Sequence, residues 1–444
     1  SIADCLILDF AGCIDEHGPI DLLGGERTTM AVCGKCRESF SRAIRICPIC
    51  NSNEAEVLHN QRFELSEKHV LPNNYDVVAC TKCGFVYADT KATQKDYDRF
   101  YKDLSKYEDT SIASGTGCNV LDAKRISRAT SDIAKYVPDK NKSILDIGCA
   151  NGGLLIELKR NGYKNVVGLD PSPACIDYVQ NEHQIEAHLG SLFGADHLFS
   201  DQHFDIVILS HVLEHIVDIQ MAYEKALSLL SKSGQIYVEV PDASRYSDYY
   251  VVPYFYFDCE HINHFDLGAL SNLALKYGLD KVTENQIEII ASDTNVYPAL
   301  YAIYQKNQQS DQQAPIYNSH ARESVFEYIK LSEKRDEWPL LEDLVSSQEE
   351  IIVWGAGSFA HRMLQSSPLS KCNITAFIDN DSNKQGKMLH GVPIRSSDIL
   401  KETNAAILVC SALHSNEIAN EIKTMGVDNN IFELKKGNVN VSQL

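Results

Sequence analysis

The stretch CEHINHF at 259–265 places a carboxylate and two imidazoles, Glu260, His261 and His264, among aromatic residues. An imidazole that titrates near neutral pH can take a proton from a substrate atom, and a neighbouring carboxylate can orient it or balance its charge. Two more histidines, His211 and His215, stand one helical turn apart in SHVLEH. The four imidazoles could instead share a metal, although no acidic third ligand is legible beside them. A different chemistry is written in three Cys-x-x-Cys pairs, Cys33/Cys36, Cys47/Cys50 and Cys80/Cys83. Two such pairs suit tetrahedral Zn²⁺. The expected set is Cys47, Cys50, Cys80 and Cys83, which encloses a strand hairpin and ends in CTKCGFV, where Gly84 permits the tight turn. Cys33 and Cys36 with Cys47 and Cys50 form the shorter alternative. Four protein ligands close the coordination sphere, so the predicted role is structural.

A third motif, ILDIGCANGGLL at 144–155, sets a strand before a glycine-rich turn and a helix. Asp146, Gly148 and Gly152 follow D-x-G-x-x-x-G, and glycines there let backbone N–H groups approach a ligand at a helix N-terminus. Asp170 ends the next strand, where a carboxylate can accept from ribose hydroxyls. GSLF at 190–193 follows the third strand, and the fourth ends in FDIVILSHVLEH. The spacing G-x-G-x-x-G that marks dinucleotide sites fits Cys149-Ala150-Asn151 poorly. It is better met further on, where VWGAGSFA supplies Gly355, Gly357 and Ala360, with Asp379 ending the following strand.

The elements that must position these residues alternate. From about 122 to 305, SILDIG, NVVGLD, FDIVILS and GQIYVEV are short apolar strands separated by helical text. That alternation predicts an α/β fold with a mainly parallel sheet, and both histidine clusters then emerge at its carboxyl edge, where open sheets bind ligands. QKNQQSDQQAP at 305–315 reads as a linker, followed by a charged helix and a second βαβ unit. The expected divisions are 1–46, 47–120 with the zinc site and a helical connector, 121–304 with the cofactor turn, 305–348 as linker and helix, and 349–444 as a second Rossmann-like unit.

Composition narrows the function classes. The 444 residues carry a net charge of −20 and 44% hydrophobic residues, without an apolar run approaching a membrane span. The charge argues against a nucleic-acid partner, which needs a concentrated basic stripe, and a small-molecule substrate is expected. Fourteen cysteines, six of them in knuckle pairs, point to thiolate ligation in a reducing compartment, the cytoplasm.

Taken together, ILDIGCANGG, Asp170 and the fourth-strand motif resemble the class I S-adenosylmethionine (SAM)-dependent methyltransferases. The resemblance implies that Asp146, Gly148, Cys149 and Gly152 hold the methionine end, Asp170 the ribose, and Ser191 and Leu192 the adenine, with Ser210 and His211 near the sulfonium. With CPIC…CTKCGFV, EHINHF and the pair VWGAGSFA and AFIDNDSNKQG, the chain from about 47 to 440 resembles the sugar-nucleotide C-methyltransferases. That likeness implies His261 as catalytic base with Glu260 beside it, Tyr107 near the reacting centre, and a nucleotide sugar met by the last unit through Gly355, Gly357 and Asp379. This chain has Asp258 and Cys259 where the family often has an aromatic residue and a histidine. O- or N-methylation of a small metabolite, and a non-catalytic module binding SAM or a nucleotide sugar, are the alternatives. Residues 1–46 instead resemble the tail of a superfamily-2 helicase, without its ATPase motifs.

Overall fold

The computed structural model describes residues 40–65, 69–103, 120–292, 295–307 and 313–434. Most of the helicase-like segment, Cys33 and Cys36, and Tyr107 lie outside them.

The first sheet is antiparallel, in the order β1 (Phe40–Arg42), β2 (Glu54–Arg62), β3 (Asn74–Cys80), β4 (Val86–Asp89) and β10 (Asn263–His264). The alternating text of NYDVVAC and GFVYAD supplies its central hairpin. Gly84 turns that hairpin at φ +81°, and a Cβ there would strike the Asn318 carbonyl oxygen at 1.7 Å, so both the turn and a close chain approach demand glycine. The far edge comes from a distant part of the sequence: Asn263 pairs with Tyr87 and His264 with Val86. The EHINHF segment is thereby a strand of the cysteine-rich sheet.

The second sheet runs in the order β11 (Leu279–Ser292), β12 (Asn295–Lys306), β9 (Leu230–Pro241), β8 (Phe204–Ser210), β5 (Ser143–Ile147), β6 (Asn165–Asp170) and β7 (Glu186–Leu189). β9, β8, β5, β6 and β7 are parallel, while β12 runs antiparallel to both β9 and β11. Strands such as SILDI and FDIVILS are continuously apolar because helices cover both faces. Strand order reverses between β5 and β8, which opens a crevice at their carboxyl ends. One apolar core joins this sheet to the cysteine-rich one: Cys47, Ile49, Val78 and Tyr87 pack in the same cluster as Leu145, Leu209, Val238 and Phe265.

The third sheet is a second α/β unit, in the order β15 (Met388–Leu389), β16 (Val392–Arg395), β14 (Ile374–Ile378), β13 (Ile351–Trp354), β17 (Ala406–Val409) and β18 (Ile431–Glu433). The helix His320–Arg335 follows the linker, and its Arg322 grips Glu56 of β2 through two hydrogen bonds of 2.6 and 2.8 Å. Its Tyr328 meets Tyr246, Tyr256 and Phe257 edge to face. Tyr256 and Phe257 are buried and belong to the core. Among the described residues no helix is long and apolar enough to cross a membrane.

Candidate functional site

The turn after β5 has the bare backbone its glycines promise. Gly148 and Gly152 adopt φ +73° and +74°, and a Cβ at either would come within 2.8 Å of Val212 or 2.7 Å of Val179. Ala150, between them, also has positive φ, +46°, a conformation that costs a residue with a Cβ. It is fixed by Asp170, whose Oδ2 accepts the Ala150 amide at 2.8 Å while Oδ1 accepts that of Ser172 at 2.9 Å. Asn151 is buried with neither side-chain polar atom hydrogen-bonded, an unmet capacity at the turn itself. Asp146 lies buried behind the turn. Burial, and secondarily the charge of Asp170, raise its pKa to about 7. The turn's own amides at Gly148, Cys149, Ala150 and Gly152 are spent on Leu169, Asp170 and Cys149, so the unfilled Asn151 side chain and the two carboxylates are what fit the amino-acid and ribose ends of SAM.

The other cofactor-binding residues flank this turn unequally. Cys149 is buried with its thiol packed toward Gly168 of β6, so only its backbone faces the turn. Ser191 is half-buried after β7, and Leu192 is buried in the core shared by the two sheets. Ser210 ends β8, half-buried. His211 follows in a left-handed conformation, φ +55°, which aims its ring between two fully buried carboxylates, Glu214 at 3.0 Å and Glu239 at 3.3 Å. Burial alone would depress the His211 pKa, but the bonds to Glu214 and then Glu239 lift it to about 9. Glu239 is also bound by Arg128 at 2.6 Å.

The EHINHF segment meets this group from the neighbouring sheet. The His261 ring stands edge-on to His215 at 4.8 Å between centroids. His215 Nδ1 contacts the Tyr101 hydroxyl at 2.7 Å and the Glu260 carbonyl at 3.1 Å, and Tyr101 lies 3.5 Å from Glu260 Oε2. Burial lowers the His215 pKa to about 4, so this imidazole is neutral. Asp258 accepts the amides of both Glu260 and His261 at 2.8 Å and fixes their turn. His264 is buried in β10 against Phe257 and Tyr246, with a pKa lowered by burial to about 3, and supports the fold. A metal shared by all four histidines is therefore not what the chain builds.

Several residues that hold the site carry no motif signal. Arg45 is buried beside the first cysteine knuckle, and its guanidinium donates to the carbonyls of Ile262 at 3.2 Å and Val217 at 2.6 Å and to Asn263 Oδ1 at 2.8 Å. Asn263 Nδ2 in turn donates to the carbonyls of Leu213 and Ile216 at 2.8 and 2.7 Å. One arginine and one asparagine thus stitch SHVLEH to EHINHF.

Cys47, Cys50, Cys80 and Cys83 converge, with Sγ–Sγ separations of 3.6 Å for Cys47–Cys83 and 3.4 Å for Cys50–Cys80. Tetrahedral bonds of about 2.3 Å to zinc imply edges near 3.8 Å, so the set fits the ion with little movement. Burial pushes the Cys47 thiol up, and a coordinated cation is what would hold it as a thiolate. In the third unit, Gly355 has φ +121°, where a Cβ would lie 2.4 Å from the Cys410 carbonyl oxygen, and Gly357 has open space before it. Asp379 is engaged by its own chain, accepting from the Ala356 amide and Lys384, both at 3.0 Å.

Residues 121–284 match the family described as Methyltransferase domain, and residues 347–432 the family described as C2185-like, N-terminal. The second sheet has the expected methyltransferase Rossmann-like fold. The ubiquinone biosynthesis O-methyltransferase of Chelativorans sp. (strain BNC1) is 35% identical over 105 residues, 23% of this chain and 41% of that protein. A tRNA U34 carboxymethyltransferase of Sulfurimonas denitrificans is 27% identical over 173 residues, 36% of this chain and 56% of that protein. The chain spans about half the length of these curated relatives. Among solved structures, the N-methyltransferase NodS from Bradyrhizobium japonicum WM9, in complex with S-adenosyl-L-homocysteine, aligns over 47% of this chain and all of its own at 14% identity, with a TM-score of 0.37.

Proposed function

We propose that this protein is a SAM-dependent methyltransferase that methylates a carbon of a keto sugar nucleotide, with His261 as the proton acceptor. The observation that supports this most is the meeting of EHINHF and SHVLEH, two histidine segments from different sheets, beside the glycine turn. Bound at that turn, SAM supplies an electrophilic methyl group on a sulfonium. The residues that would hold it are Asp146, Gly148, Gly152 and Asp170. His261 takes the proton from a carbon next to a carbonyl, which makes that carbon nucleophilic. The positive charge gained by the ring is offset by Glu214, an oxygen of which lies within 4.8 Å of a His261 nitrogen. Asp258 restrains the turn that holds the ring, so little freedom is lost when the acceptor binds. The zinc set, closed by Cys47, Cys50, Cys80 and Cys83, is structural in this reading, and the third unit meets the nucleotide through the turn at Gly355 and Gly357.

The test is mass spectrometry of a nucleotide-sugar pool incubated with protein and SAM. A product heavier by one methylene, with solvent deuterium exchange at the neighbouring carbon that disappears in His261→Asn, is the expected result. Methyl transfer to a hydroxyl or amine of a small metabolite without exchange would replace this reading with O- or N-methylation, the activity named for the ubiquinone relative. SAM binding without turnover on any pool would make the protein a binding module.

A further inference from the structure

We infer that Glu214, His215 and His261 form a binding site for a divalent transition-metal cation, and that this cation competes with catalysis for the His261 imidazole. The second half rests on His261 as proton acceptor; the first does not. One ligand atom from each of the three lies within 4.8 Å of the others. Tetrahedral ligands bonded at about 2.1 Å stand about 3.4 Å apart, so rotations of the two half-buried rings that draw these atoms in by up to about 1.4 Å close the set.

Glu214 is fully buried. Its Oε1 is bound by His211 at 3.0 Å, but its Oε2 has no hydrogen-bond partner. A buried carboxylate oxygen left bare is costly unless something positive completes it. His215 is arranged to ligate. Nδ1 faces the Glu260 carbonyl at 3.1 Å, which can only accept, and the Tyr101 hydroxyl at 2.7 Å, which can accept while its own hydrogen points to Glu260, so a ring hydrogen on Nδ1 serves both contacts and Nε2 keeps its lone pair. A backbone carbonyl that fixes the tautomer from behind is the usual partner of a metal-bound histidine. Glu214 also supplies the acidic ligand that the histidine spacing alone did not reveal. Two imidazoles and a carboxylate favour Zn²⁺, Co²⁺ or Ni²⁺ over Mg²⁺ or Ca²⁺. Ligation uses the lone pair that would accept the substrate proton, so a loaded site is catalytically silent.

The experiment titrates the purified full chain, with its thiolate site filled by zinc, with Co²⁺ under calorimetry and visible spectroscopy. Expected is one equivalent of Co²⁺ with d–d bands and no sulfur-to-cobalt charge transfer, lost in His215→Gln and in His261→Asn. Turnover should fall in step with occupancy and return on chelation. Circular dichroism checks both variants, and half-buried His261 keeps the test alive if His215→Gln misfolds. Binding confined to thiolates, or surviving in both variants, overturns the site. Turnover that rises with occupancy overturns the competition. If no methyl acceptor is found, the proposed function fails while the binding titration still decides the site.

Discussion

Asp146→Asn should stabilise the folded chain at pH 8 and leave it unchanged near pH 4. Asp146 is buried at the end of β5, and the loss of water, followed by the nearby charge of Asp170, lifts its pKa from an ordinary 3.8 to about 7. A carboxyl whose pKa is raised by folding binds its proton more tightly in the native state. Its contribution is fully present below pH 3.8 and is lost as pH climbs through about 7. At about 1.4 kcal/mol per pH unit, that interval bounds the effect at about 4 kcal/mol. The isosteric amide carries no charge to desolvate, so it escapes the loss. The gap between variant and wild type should open between pH 4 and 7 and level off above, reaching at most roughly 8–16 °C in Tm at about 2–4 °C per kcal/mol. Urea unfolding followed by circular dichroism at pH 4, 6 and 8 measures it. SAM affinity should move the other way, because a cationic ligand is what favours the ionised form, so Asp146→Asn should bind SAM more weakly at pH 8. A variant less stable than wild type at pH 8, or a difference independent of pH, would refute the reasoning.

Three other outcomes are expected. His211, raised from 6.5 to about 9, adds stability that is present below pH 6.5 and lost as pH rises through about 9; His211→Gln should abolish this alkaline decline, worth up to about 3 kcal/mol, in unfolding curves at pH 7 and pH 10. Arg45→Met removes charged donors from the carbonyls of Val217 and Ile262 and should cost roughly 3 kcal/mol in urea denaturation. It should also lower kcat, because those carbonyls belong to the two segments of the proposed site. Cys80→Ser should lose zinc by metal analysis and lower methyl transfer as well, since β3 and β4 carry the sheet whose edge strand is β10.

The parts of the fold legible in the sequence are those written in consecutive residues. SILDI, NVVGLD and FDIVILS announce parallel strands because burial on both faces leaves them continuously apolar, and Gly148 and Gly152 announce the turn because only glycine is comfortable at its φ values. The cysteine set was legible for the same reason, each knuckle being a local spacing. Arg45, Tyr101, Glu214 and Asn263 were not, because their partners are distant along the chain and nothing nearby demands their side chains. The sequence singles out His261 over His264 only through the family resemblance. The structure separates them: His264 lies in β10, buried against Phe257, while His261 precedes the strand and stands against His215. Leu192 sits in the core rather than in open space after β7, a distinction the letters GSLF do not contain.

The pairing of β10 with β4 also sets an order of events during synthesis. The cysteine hairpin, residues 47–83, leaves the ribosome long before residue 264, so its sheet waits with an open edge until the central domain has been made. Loop-closure entropy makes so distant a pairing slow, and a bare strand edge is a template for wrong partners. Early capture of a cation by the four thiols would hold the nascent hairpin in register through that delay. A cell short of zinc would then accumulate aggregated chains rather than folded but sluggish ones.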